Sequence, residues 1–123
     1  MDKNLKITCF GEVLWDVFPS GEKIGGAPLN VAIRLQSLGA AASMISCVAA
    51  DKRGDKIINH LNTLGVNTSC IEVQEEYPTG IVQVTLDESG SATYDITYPV
   101  AWGELLIYAA AIDGLRVSTD VLP

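Results

Sequence analysis

The stretch Gly25-Gly26-Ala27-Pro28-Leu29-Asn30-Val31-Ala32-Ile33-Arg34-Leu35-Gln36-Ser37-Leu38-Gly39 decides the fold. It begins as a helix start, because Pro28 suits a first-turn position where its missing N–H leaves no hydrogen bond unmade. Val31, Leu35 and Leu38 recur at i, i+4 and i+7 and predict the core-facing stripe. Gly39 is placed to close the helix just beyond its C-cap. Before this helix, Leu5–Val13 is apolar and β-branched and reads as a buried strand, with Trp15–Phe18 as a second short extended piece before the turn residues Pro19, Ser20 and Gly21. After it, Ala42–Ala50 reads as another buried strand. Asp51 then caps a second helix with the stripe Ile57, Ile58, Leu61 and Leu64, ended by Gly65. Two strand–helix units with short links predict an α/β fold, a parallel sheet covered by helices.

Beyond residue 78 the period changes from helical to alternating. Thr79–Leu86 and Ser91–Tyr98 flank the polar turn Asp87-Glu88-Ser89-Gly90 and predict a β-hairpin. Val82, Val84 and Leu86 share one face of its first strand, and Ile81, Gln83 and Thr85 the other. A hairpin following βαβ units is expected to project from the main sheet.

Composition narrows the function classes. The chain has 123 residues, 48% hydrophobic and 19% charged, enough for one domain with a core. A formal net charge of -7 argues against nucleic acid as a general partner. Cys9, Cys47 and Cys70 show no paired spacing and read as buried free thiols in a reducing compartment. The run Ile7–Phe10 stops too early for a secretory signal, and the apolar run 105–112 falls far short of the roughly 20 residues a membrane span needs. A soluble, cytoplasmic protein without membrane partners is expected. His60, the single histidine, lies opposite the second helix's apolar stripe and reads as solvated.

The strongest chemical signal is Gly25-Gly26 at a helix start, where backbone N–H groups approach a ligand closely and the helix end adds positive charge. Asn30, in the first turn, offers both a donor and an acceptor. On spacing alone the stretch serves equally well as a plain helix start. Asp16 follows the first strand, near the carboxyl edge where open α/β sheets bind ligands; taken alone it also reads as a solvated turn residue. No G-x-G-x-x-G supports dinucleotide binding.

Taken together, Gly11-Glu12-Val13-Leu14-Trp15-Asp16 and Gly25-Gly26-Ala27-Pro28-Leu29-Asn30-Val31-Ala32 resemble the N-terminal sugar-binding signature of the PfkB carbohydrate kinases. The resemblance continues through Ser37-Leu38-Gly39, Asp51-Lys52-Arg53-Gly54, Leu64-Gly65-Val66 and Thr79-Gly80. It covers residues 5–102, including the hairpin at 79–98, and is nearest to fructokinase-like members. It implies a partial ribokinase-like three-layer α/β/α sandwich with a β-hairpin lid, and ATP-dependent phosphorylation of a sugar hydroxyl. Asp16 and Asn30 would bind sugar hydroxyls, the backbone of Gly25 and Gly26 would pack against the sugar, and Val82, Val84 and Tyr94 would form the lid face nearest to it. Homodimerisation through the lid is a further implication.

The departures are equally specific. The family's Gly-Ala-Gly-Asp, which supplies an anion hole and the general base, is absent, and Gly103 follows Ala101-Trp102 where the family has an acidic residue. ATP and Mg are the family's cofactors, but no residue identified in this chain binds them, and none is identified as catalytic or metal-ligating. The tail 103–123 carries no family motif. The chain alone is therefore expected not to transfer phosphate. The alternative is a non-catalytic sugar-binding or dimerising remnant of such a kinase.

Overall fold

The computed structural model describes residues 5–103; the expected divergent tail, apart from Gly103, lies outside the described residues, as does the apolar run 105–112. In chain order the elements are β1 (Lys6–Phe10), β2 (Leu14–Phe18), β3 (Gly21–Gly25), α1 (Ala27–Ser37), β4 (Ala41–Ala49), α2 (Lys52–Thr63), β5 (Ile71–Gln74), β6 (Gly80–Leu86) and β7 (Ala92–Ile96). They form a three-stranded parallel sheet in the order β1-β4-β5 and a four-stranded mixed sheet in the order β3-β2-β6-β7.

The parallel sheet follows from its sequence. β4 is buried along most of its length and takes the centre, as a nearly continuous apolar run should. Both crossovers, β1–α1–β4 and β4–α2–β5, step in one direction across the sheet. Right-handed connections then put both helices on one face. Accordingly, Leu29 and Ala32 of α1, Ile57 and Leu61 of α2, Met44 and Val48 of β4, and Cys9 of β1 join a single core cluster.

Both helices end in the same device. Gly39 and Gly65 have φ of 100° and 83°, and behind them the N–H groups of Ala40 and Val66 donate to Leu35 O and Leu61 O at 3.1 and 3.0 Å. This Schellman arrangement satisfies carbonyls that the helix leaves open and turns a buried apolar residue inward.

Several expectations need correction. The stripe on α1 is not Val31, Leu35 and Leu38: Val31 is 50% and Leu38 46% exposed, and the sheet is met by Leu29 and Ala32, with Ile33 and Leu35 partly buried. Ala32 is fully buried in that core, and its small side chain gives little hydrophobic signal in the sequence. Leu64 is the exposed C-cap of α2 rather than part of its buried stripe. Cys70 is exposed because it sits in the bend before β5, whereas Cys9 and Cys47 are buried free thiols. Burial, then the negative Glu72, pushes the Cys47 thiol up to about 11, which makes it inert. The first strand stops at Phe10 instead of reaching Val13, and β5 had no counterpart in the sequence reading. His60 is exposed, as expected.

The hairpin β6–β7 does not project on its own. β6 pairs in parallel with β2, and β3, of which only Gly21 reads as a turn residue in the sequence, completes the edge by folding back on β2. One face of this sheet, with Trp15, Val17, Ile24 and Ile81, packs against the main core. Its other face holds Leu14, Val82, Val84 and Phe18 in a separate small cluster. Arg53 of α2 reinforces the seam: its carbonyl accepts from Trp15 Nε1 at 3.1 Å, and its guanidinium meets the Glu22 carboxylate at 2.8 Å.

Where the chain passes between the sheets, Asp51 and Thr79 form a tight network. Asp51 caps α2 by accepting from Gly54 N at 2.8 Å, and also accepts from Thr79 Oγ1 at 2.7 Å and Thr79 N at 3.1 Å. The Thr79 hydroxyl in turn accepts from Ala49 N at 3.0 Å. Burial alone would raise the Asp51 carboxyl, but the donors from Thr79 and Gly54, with Arg53 nearby, outweigh it and hold it below the usual carboxylate range.

Because the folded-state value is depressed, this stabilisation is present above the unfolded-state pKa, about 3.9, and is lost as pH falls through the folded value. Asp51→Ala is expected to cost about 2–4 kcal/mol at pH 7 by stranding the Thr79 and Gly54 donors. Urea unfolding across pH should show the gap between wild type and variant closing below about pH 4. A gap independent of pH would assign the loss to packing instead.

Candidate functional site

The site is assembled around β2. In register, Leu14 lies between Gly25 of β3 and Gly80 of β6, and Asp16 lies between Lys23 and Val82. Leu14, Asp16, Gly25, Gly80, Val82 and Val84 therefore share the sheet face turned away from the main core. The half-buried Asp16 carboxylate rests over Gly25: a Cβ on Gly25 would collide with Asp16 Oδ2. On the other side of Leu14, a Cβ on Gly80 would stand 2.5 Å from Trp102 Nε1. Each glycine makes room for a side chain from another part of the chain.

Gly26 follows as the N-cap of α1 with φ 113°, and a Cβ there would meet the Glu12 carbonyl oxygen at 2.5 Å. Only glycine meets both demands, the left-handed φ and the close backbone approach. A glycine cap offers no side-chain acceptor, and the first turn of α1 contains no acidic residue. Glu12, from the loop between β1 and β2, fills the role: its Oε1 accepts from Ala27 N at 3.3 Å. Asn30, one turn on, is exposed, and its backbone N–H donates to Gly26 O at 2.9 Å.

The residues singled out in the sequence thus fall into two groups. Asp16, Gly25 and Val82 are register or contact neighbours, and Gly26 and Asn30 are joined to them through the β3–α1 turn. Val84 is buried one step further along β6. Tyr94 faces it across the hairpin but is 65% exposed on β7, two strands from Asp16. Tyr94 therefore stands at the outer margin of this face.

Sequence reasoning passed over Glu12, Tyr98 and Trp102 as members of the site. The Tyr98 and Trp102 rings meet edge to face, with centroids 5.6 Å apart and planes at 71°. Burial, with the negative Glu12 next, raises the Tyr98 phenol. One signal for Glu12 lay in the sequence: a helix start without a capping side chain or an early acid needs an acceptor from elsewhere. Which residue supplies it is a tertiary fact.

Chemically, the arrangement suits hydroxyl groups. Carboxylates at Asp16 and Glu12 accept hydrogen bonds, Asn30 both donates and accepts, and Leu14, Val82 and Val84 on the same sheet are apolar and buried. It does not suit a nucleotide with its metal. The glycine turn is flanked by two carboxylates that repel a triphosphate. No step through such a group is derived from these residues. Among the described residues, no helix is long and apolar enough to cross a membrane.

Comparison with known proteins agrees with this architecture. The profile of the pfkB family carbohydrate kinases matches residues 4–104. A fructokinase of Salmonella typhimurium is 30% identical over 96 residues, covering 74% of this chain and 31% of its own. The crystal structure of an uncharacterized sugar kinase from Pyrococcus horikoshii superposes with a TM-score of 0.73 at 32% identity, covering 79% of this chain and 35% of that one. A fructokinase from Xylella fastidiosa gives 0.71 at 28% identity over 83% and 34% of the two chains, and has also been solved with bound ATP. The chain spans about a third of the length of these relatives.

The two glycines of the turn should respond differently to one added methyl group. Gly26→Ala, strained at φ 113° and facing a backbone carbonyl, is expected to lower stability by about 1–3 kcal/mol in urea unfolding. Gly25→Ala meets only the end of the Asp16 side chain, which can rotate away, so its cost should stay below about 1 kcal/mol while Asp16 is displaced. Equal losses at both positions would contradict this packing.

Proposed function

Because the chain belongs to the pfkB family of carbohydrate kinases, we propose that it carries the sugar-recognition part of an ATP-dependent sugar kinase of the fructokinase type. The observation that supports this most directly is the Asp16 carboxylate, seated over Gly25 beside the α1 N-terminus, on the face of a sheet that continues into the β6–β7 lid. Asp16 and Asn30 are the proposed ligands of sugar hydroxyls. Gly25 and Gly26 let the sugar approach the backbone, and Val82 and Val84 form an apolar floor. Tyr94 closes the outer margin. A covered site of this kind favours transfer of phosphate to sugar over transfer to water.

The phosphoryl-transfer machinery is assigned to residues outside those identified here. The sequence has no Gly-Ala-Gly-Asp, and the glycine turn is flanked by the Glu12 and Asp16 carboxylates, which repel a triphosphate. The second reading is a sugar-binding or dimerising remnant without catalysis. Sugar affinity without sugar-dependent ADP release by the purified chain would support the remnant; release of ADP would support a working kinase.

The lid supplies the proposed homodimer contact. Leu86, Tyr94 and Ile96 are exposed on the same face as the buried Val82 and Val84, and among the described residues β7 is an edge strand. The opposite face, with Ile81, is engaged by the chain's own core. Multi-angle light scattering of folded protein should therefore show a dimer at high concentration that Ile96→Glu disrupts. A strict monomer would contradict the lid contact.

Asp16→Ala is expected to weaken binding of the preferred sugar by about 2–3 kcal/mol, the scale of a lost hydrogen bond to a charged group, with the urea midpoint little changed. Isothermal titration calorimetry of the chain with fructose and other hexoses checks this. Unchanged affinity would remove Asp16 from the site.

A further inference from the structure

The N-terminus of a helix is an anion-binding element, because its unpaired N–H groups and its dipole both favour negative charge. In α1 that end opens on the proposed sugar site, through a glycine cap with no side chain and a first turn with no acid. Left so, it would attract a phosphate or carboxylate substituent on the ligand. Instead the protein's own Glu12 carboxylate is there, with Oε1 on Ala27 N, and the Asp16 carboxylate lies over Gly25 on the preceding strand. Among the described residues neither acid has an ion-pair partner: the ion pair there joins Arg53 to Glu22. Lys23, opposite Asp16 in register, holds its Nζ 6.0 Å from the centroid of the Phe18 ring.

We infer that Glu12 is a specificity-determining residue that restricts this site to uncharged sugars, occupying the anion-binding end of α1 and excluding sugar acids and sugar phosphates. The inference rests on the sugar-site reading above and deepens it by naming the substrate class. A neutral hydroxyl donates a hydrogen bond to either carboxylate. A phosphate or carboxylate substituent has no proton to donate at neutral pH, meets two negative groups, and finds the Ala27 N–H already engaged. The selection is therefore electrostatic, exerted by one carboxylate that binds the helix end rather than by the shape of the pocket.

The test is a set of binding titrations on the purified chain, by calorimetry and ligand-observed NMR. Fructose serves as the uncharged probe, with gluconate and fructose 6-phosphate as the anionic probes. Glu12→Gln keeps an oxygen acceptor for Ala27 N and removes the charge. Glu12→Ala is the second variant, and amide spectra confirm that each is folded. Wild type should prefer fructose. Both variants should raise the affinity for the anionic probes relative to fructose by about tenfold at low ionic strength, and the difference should shrink as salt is added. An unchanged ratio in folded variants, or a wild type that already prefers the anionic probes, overturns the role of Glu12 while leaving the sugar site standing. Failure of wild type to bind either kind of probe removes the sugar site, and the inference with it.

Discussion

Two sheets that, among the described residues, share no hydrogen-bonded strand pair need something other than a ladder to hold them in a fixed relation. Beside the packing of Trp15 and Ile81 on the main core, that connection includes a junction at Asp51 and Thr79, where the end of β4, the start of α2 and the start of β6 meet within one set of hydrogen bonds. The Thr79 hydroxyl is buried and both accepts and donates, so losing either partner would leave a polar group unsatisfied in the interior. Gly54 adds a steric condition, since a Cβ there would overlap the Ala49 carbonyl oxygen. Because β6 is set by Thr79 and pairs with β2, the position of Asp16 depends on this junction at a distance.

A second constraint acts at the site itself. β3 runs directly into α1, so the strand that flanks Asp16 and the helix that carries Asn30 share the turn at Gly25 and Gly26. The loop containing Glu12 presses on that turn with both its backbone and its side chain. Helix dipole, glycine conformation and carboxylate placement are therefore coupled. A change in any of them alters the electrostatic character of the surface a ligand would meet, with no change in the surrounding core.

The fold was legible in the sequence where local chemistry and burial agree. The helix starts at Pro28 and Asp51, the stops at Gly39 and Gly65, the buried β4 and the hairpin around Asp87–Gly90 all carry their own signals, and each stands in the structure. The misses occurred where pairing or packing supplies what the sequence lacks. β3 is a strand because β2 lies beside it, despite the polar run Gly21-Glu22-Lys23. The buried stripe of α1 runs through Leu29 and the small Ala32, while the larger Val31 and Leu38 are about half exposed.

By itself the sequence determined the α/β class, the helix boundaries, the hairpin, and the residue types able to meet a polyol, because these depend on spacing and side-chain chemistry along a continuous segment. Only the tertiary structure decided that the hairpin belongs to a second sheet, that Asp16 rests over Gly25, and that Glu12 caps a helix beginning fifteen residues later. Those relations join segments through register and through space left by absent side chains. A glycine's missing Cβ shows in the sequence only as permission; which neighbour uses the space is settled when the chain closes on itself.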